Sequence, residues 1–192
     1  KSALLAQAKS ILFAREPRLL VLRGRCHENE TVPYNAFDGI LDDLSRVLRQ
    51  REDAPPRSGE DWSALVRVFP VLRSVPMLAT FGVAPLSAGG ATALLRAEAF
   101  RMLARLLGRL AAERPLLAVV EDIHWADAES IDLLRHLFAG GEPRGLCFFA
   151  TVRPPPGSEP AAARGAVPEA KVLSLSGLDD REARDLVVAL ER

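Results

Sequence analysis

The stretch LLAVVEDIHWADAES, residues 116–130, runs from five consecutive apolar positions, Leu116 to Val120, straight into two carboxylates, Glu121 and Asp122. A short apolar run of this kind reads as a buried strand. Ile123, His124, Trp125 and Ala126 follow, and then a third acid, Asp127. Burying an unpartnered charge is costly, so two adjacent acids at a strand end need solvent, a cation or a hydrogen-bonded neighbour. In a parallel sheet, ligands gather at the carboxyl ends of the strands. One acid at such an end, followed by a second, suits a Mg2+-nucleotide site. The first holds the metal, and the second polarises the water that attacks the γ-phosphate. A plainer reading makes these acids part of an ordinary loop that caps the next helix. Asp127, directly ahead of the helical pattern AESIDLLRHL, suits that plainer reading. Asp127 is therefore assigned to capping, while for Glu121 and Asp122 the metal site is favoured over the plain loop in view of the features below.

The flanks of this stretch set its context. Upstream, residues 91–113 carry a long helical pattern with Leu95, Ala99, Met102, Leu103, Leu106 and Leu110 along one face, expected to pack on a sheet. Downstream come a helix over about 129–138 and a strand, LCFFATV, at 146–152. The Pro-rich segment RPPPGSEPAAARGAVP reads as an exposed loop, KVLSLS at 171–176 as a strand, and DDREARDLVVALER as a helix with Asp179 and Glu182 at capping-box spacing. Nearer the start, residues 2–14 have Leu4, Leu5, Ala8, Ile11 and Leu12 at helical spacing, and RLLVLR at 18–23 is a strand ending at Gly24. PYNAFDGILDDLSRVLRQ is a helix with Phe37, Ile40, Leu41, Leu44, Val47 and Leu48 on one side, and 62–77 a short helix broken by Pro70 and Pro76. Strands alternating with helices predict an α/β domain with a mostly parallel sheet.

Composition bounds what such a domain does. The 192 residues suit one large domain, and a hydrophobic fraction of 48% can fill a core. Acids and bases balance at 25 each, which gives no basic tail for nucleic acid, so direct nucleic-acid binding is not expected. No apolar run approaches a membrane span and the first residues are too polar for a signal peptide, so a cytoplasmic setting is expected. The two cysteines, Cys26 and Cys147, have neither metal spacing nor a disulfide framework, and both are expected to be structural. His27, Glu28 and Glu30 in CHENE read as a solvated turn.

A nucleotide site also needs a phosphate cradle. None of the 13 glycines stands in a G-x-x-x-x-G-K-[ST] pattern. The chain does open on Lys1-Ser2 followed at once by a helix, which matches the last two letters of that pattern and its context. The expectation is a phosphate loop whose glycines and preceding strand lie ahead of Lys1, and a sheet that is poorly stable without that strand.

LLAVVEDIHWAD resembles the acidic strand of STAND-type P-loop ATPases, the AAA-related signalling ATPases, in which acid-acid-x-HWAD is distinctive. VLRGRCHENETVPYNAF is similar to their second strand and its turn, LCFFATVRP to their fourth, sensor-bearing strand, and LSLSGLDDREARDLV to their last strand and the helix leading to the lid. The resemblance implies a three-layer α/β/α P-loop ATPase core over 1–176, with its first strand missing, and the start of a helical lid region over 177–192. It implies ATP and Mg2+ as cofactors. Carried over by position, Lys1 touches the β- and γ-phosphates, Ser2 and Glu121 ligate Mg2+, Asp122 activates water and Arg153 senses the γ-phosphate, with Thr151 a second sensor candidate. His124 and Trp125 belong to the motif without a defined role. The order Glu121–Asp122 departs from the usual Asp–Glu, and since water positioning is sensitive to geometry, slow hydrolysis is expected.

Three functions remain open at this point. The first is an ATP-binding, slowly hydrolysing switch in a larger regulatory protein, joined to kinase, cyclase, DNA-binding or helical-repeat domains and capable of nucleotide-dependent oligomerisation. The second is a non-hydrolysing nucleotide-binding or protein-interaction scaffold with a degenerate ATPase fold. The third is a nucleic-acid motor, which the balanced charge disfavours.

Overall fold

The computed structural model describes residues 2–51, 60–81, 92–139, 145–153, 170–175, 177, 179–182 and 184, with Ser2 and Ala3 described in their backbone alone. Among these residues, three parallel strands form the sheet, in the order β1-β2-β3: β1 is Leu20–Arg25, β2 is Leu116–Glu121 and β3 is Leu146–Ala150. The helices are α1 (Ser2–Arg15), α2 (Asn35–Arg49), α3 (Ser63–Val68), α4 (Ala93–Glu113) and α5 (Ala128–Phe138), with a 3-10 turn at Pro70–Ser74 where the prolines were expected to break the chain. The helix–strand alternation of the sequence thus gives the α/β fold with a parallel sheet, an architecture consistent with a P-loop NTPase domain.

β2 lies between its two neighbours because it is apolar on both faces. Leu116 to Val120 are all buried, and only Glu121 at its end is partly open. The register pairs Leu20 with Leu116 through to Arg25 with Glu121, and Leu116 with Leu146 through to Val120 with Ala150. On one face, Leu116, Ala118 and Val120 join Leu22 and the apolar sides of α2, α4 and α5 in a continuous core. On the other face, Val21 and Arg23 look across a groove at Ala6, Lys9, Ser10 and Phe13 of α1.

β1 runs on through Gly24 to Arg25, two residues past the expected strand end at Arg23, and glycine is needed inside the strand. A Cβ at Gly24 would lie 2.3 Å from the Ala36 carbonyl oxygen, and one at Gly39 would lie 2.5 Å from the Arg23 carbonyl oxygen. The two glycines let α2 rest directly on β1.

Several expectations need correction. α4 buries Ala99, Phe100, Leu103, Leu106, Leu107 and Leu110 in the core it shares with β2, but it lies closest to α3 and α5 rather than to the sheet. The α1 stripe is not buried as a whole: Leu4 and Ile11 are exposed, as is Phe13. Cys147, expected in the core, is exposed on β3, because the pleat of this strand turns alternate side chains outward. KVLSL at 171–175 is not a strand, and Leu173 is 75% exposed. A strand needs a hydrogen-bonded neighbour, and among the described residues none pairs with this segment or with the outer edge of β3. The capping box does form: Glu182 N–H donates to Asp179 Oδ1 at 2.7 Å and Asp179 N–H to Glu182 Oε2 at 3.0 Å. Most of the expected Pro-rich loop and of the last helix lies outside the described residues.

Candidate functional site

The carboxyl ends of the three strands meet at Glu121, Asp122, Arg25 and Arg153. Glu121 is the last residue of β2, half-buried, and its carbonyl accepts the Cys26 N–H at 3.0 Å, which fixes the end of β1 beside it. Asp122 then leaves the strand in the left-handed region, φ 56°, ψ 42°. Aspartate tolerates that conformation better than most residues, but it remains strained. Thr151, just past β3, holds the turn in place. Its hydroxyl accepts Asp122 N–H at 3.0 Å, its carbonyl accepts Ile123 N–H at 2.9 Å, and its own N–H donates to the Val120 carbonyl at 3.0 Å.

The Asp122 carboxylate lies between two arginines. Arg25 Nη2 is 3.7 Å from Oδ2 and Arg153 Nε is 3.8 Å from Oδ1, with both guanidinium groups largely open to solvent. These are long, screened ion pairs that a stronger anion can displace. The expected catalytic pair, Asp122 and Arg153, is thus brought together, with Glu121 next to it in the chain. Thr151 Oγ1 accepts from the backbone of Asp122. His124 accepts the Arg153 N–H on Nδ1 at 3.4 Å, and its ring leans on Trp125, centroid to centroid 5.0 Å. Trp125 is 41% exposed, so it is not the packing anchor that a buried tryptophan would be. His27 and Glu28 are exposed in a turn, as read from the sequence. Lys1 lies outside the described residues, and Ser2 is described only as the first backbone position of α1.

Behind the acids runs a buried polar network that sequence reasoning found only in part. Asp127 caps α5 as expected, accepting Ser130 N–H at 3.3 Å and the Ser130 hydroxyl. It also caps α2, accepting Tyr34 N–H at 3.0 Å and Asn35 N–H at 3.1 Å, while Ser130 Oγ takes the Ala36 N–H at 3.1 Å. The residue at the α2 N-cap, Tyr34, offers no side-chain cap, so the orphan N–H groups of the helix are satisfied from the acidic loop. Asn35 answers with Oδ1 on the Asp127 N–H at 3.2 Å and Nδ2 on the Trp125 carbonyl at 3.0 Å. Burial would raise the Asp127 carboxyl pKa; the Ser130 hydroxyl and the Tyr34 N–H outweigh it and hold the pKa below the ordinary value. Burial, and then the nearby Asp127, push the Cys26 thiol up to about 12, so it stays protonated and unreactive.

The missed residues left faint signals. Arg25 sits at a strand end in register with Glu121, and Tyr34-Asn35 opens an amphipathic helix with no Ser, Thr or Asp at its own cap.

The donor chemistry suits a hard cation. Glu121 offers carboxylate oxygens at a partly open strand end, and Mg2+ takes one or two carboxylates with the remaining positions filled by phosphate and water. Among the described residues no three acidic, histidine or cysteine side chains converge on one point. No helix among the described residues is long and apolar enough to cross a membrane.

The sequence matches the model of the AAA ATPase domain family over residues 1–149. Comparison with curated proteins and with solved structures gave no match. The matched span runs from α1 into β3 and includes the strand and loop that carry Glu121, Asp122 and Asp127. A family model that accounts for this much of the sequence, on a sheet of this order, shows that the chain belongs to the AAA ATPase domain family.

Proposed function

We propose that the chain binds Mg-ATP at the carboxyl ends of its strands and hydrolyses it slowly, as the nucleotide switch of a larger regulatory protein. The observation that carries this reading is Asp122, placed at the end of the central strand beside Glu121 and within reach of Arg153. Membership of an ATPase family supports nucleotide use. In this reading Glu121, with Ser2, holds the metal, and Lys1 contacts the β- and γ-phosphates as a point charge. Bound Mg-ATP would supply the polarised γ-phosphoryl group. Asp122 orients and deprotonates the attacking water. Arg153 turns from Asp122 to the γ-phosphate, and Arg25 keeps the acid in place meanwhile. ATP and ADP then favour different arrangements, because only one of them engages Arg153. The attached kinase, cyclase, DNA-binding or helical-repeat domains, and a nucleotide-dependent oligomer, are the partners of such a switch, in a cytoplasmic setting.

One observation favours a second reading, a nucleotide-binding scaffold without turnover. Asp122 is shorter than the usual glutamate and is already paired to two arginines. Phosphate release from Mg-ATP by the natural full-length protein separates the two readings. Slow turnover that falls at least about tenfold in Asp122→Asn and in Arg153→Ala supports the enzyme, since a tenfold loss is about 1.4 kcal/mol of transition-state contact. Tight binding with no release above background supports the scaffold.

A further inference from the structure

Asn35 is 1% exposed, and both polar ends of its side chain are committed to the acidic loop. A helix needs no asparagine at its first position, and burying an amide is costly unless each end is paired. The residue is therefore best explained by what it holds. Four hydrogen bonds cross between the start of α2 and the loop: Tyr34 N–H and Asn35 N–H to the Asp127 carboxylate, Asp127 N–H to Asn35 Oδ1, and Asn35 Nδ2–H to the Trp125 carbonyl. The other end of the same loop is pinned by Thr151. Between the two clamps lies Asp122, in a left-handed conformation that persists only where its surroundings enforce it.

We propose that Asn35 and Asp127 are positioning residues for the acid pair: a latch between α2 and the 122–127 loop that keeps Asp122 in its left-handed turn, facing the strand ends. Opening the latch lets Asp122 relax toward an ordinary backbone conformation and carries its carboxylate away from Arg153. Glu121, paired inside the sheet, stays where it is. The latch therefore governs turnover more than binding. The turnover half of this proposal rests on the Mg-ATP reading above; the positional half does not.

The test uses the natural full-length protein, with Trp62→Phe in the background so that, within residues 1–192, Trp125 is the one tryptophan left. Three changes are compared: Asn35→Ala; Asn35→Ser, which removes the donor to the Trp125 carbonyl without adding a charge; and Thr92→Ala, which deletes the α4 cap, as a stability control. The latch predicts that both Asn35 variants lower Trp125 anisotropy and raise its quenching by acrylamide, while Thr92→Ala does neither. It also predicts a fall in kcat of about tenfold or more with the Kd for Mg-ATP nearly unchanged. If Asn35→Ala fails to fold, Asn35→Ser carries the test. Trp125 signals like those of the parent, or kcat and Kd shifting together in step with lost stability, would reduce Asn35 to a helix cap and overturn the proposal. A parent protein that neither binds nor turns over ATP would sink the nucleotide reading, and the Trp125 arm would still decide the latch.

Discussion

At the residue scale, the proposed chemistry turns on two adjacent side chains, Glu121 and Asp122, in the order opposite to the Asp–Glu expected from the resemblance. Glu121 ends β2, and Asp122 reaches toward Arg25 and Arg153 from a left-handed turn. One methylene separates each from the more common residue, and a misplacement of that size is enough to cost orders of magnitude in a positioned reaction. Reversing the order, with Glu121→Asp and Asp122→Glu together, is predicted to raise the phosphate-release rate about tenfold or more, read under saturating Mg-ATP. The double variant turning over no faster than the parent would show that the slow step lies elsewhere. The acids themselves were legible in the sequence because an apolar run ending in two carboxylates has few cheap explanations. Arg25 was not, since a strand-end arginine declares itself only once the register sets it beside Glu121. Thr151 was a second sensor candidate, and the sequence did not show that its hydroxyl also accepts the Asp122 N–H.

At the scale of elements, two contacts hold the site in place. The first is the close approach of β1 and α2, where Gly24 and Gly39 leave no room for a Cβ. Gly24→Ala would press a methyl onto backbone that cannot yield, and is predicted to cost about 1–3 kcal/mol, a fall in Tm of about 2–4 °C per kcal/mol, read by thermal melting. An unchanged Tm would mean that α2 does not rest on β1 as described. The second contact is the double cap at Asp127. Its carboxyl pKa lies below the ordinary value in the folded protein, so it contributes stability above the unfolded value of about 3.9. That contribution is lost as pH falls through the folded pKa. The Tm gap between the parent and Asp127→Asn is therefore predicted to be widest near neutral pH and to shrink below about pH 4. A gap that stays constant down to low pH would contradict the assignment. Sequence placed Asp127 as the α5 cap because the residue precedes a clear helical pattern; its hold on α2 depends on a fold that brings positions 34 and 127 together, which no local pattern reveals.

At the scale of the whole molecule, strand–helix alternation was legible above all through β2, which is buried on both faces and leaves a long apolar run that is hard to misread. Elements whose burial depends on distant neighbours were less legible. The α1 stripe is only half-buried, and KVLSL stays out of the sheet, since no strand among the described residues pairs with it. The phosphate loop assigned to Lys1 and Ser2 rests on sequence and is the remaining half of the site. Calorimetric titration of the natural full-length protein with Mg-ATP, beside its Lys1→Ala form, measures both halves at once. Saturable binding that is lost or weakened at least about tenfold by Lys1→Ala, a difference of about 1.4 kcal/mol, is the predicted result. No heat of binding in either protein would contradict it, and would leave the strand-end acids as parts of a structural loop.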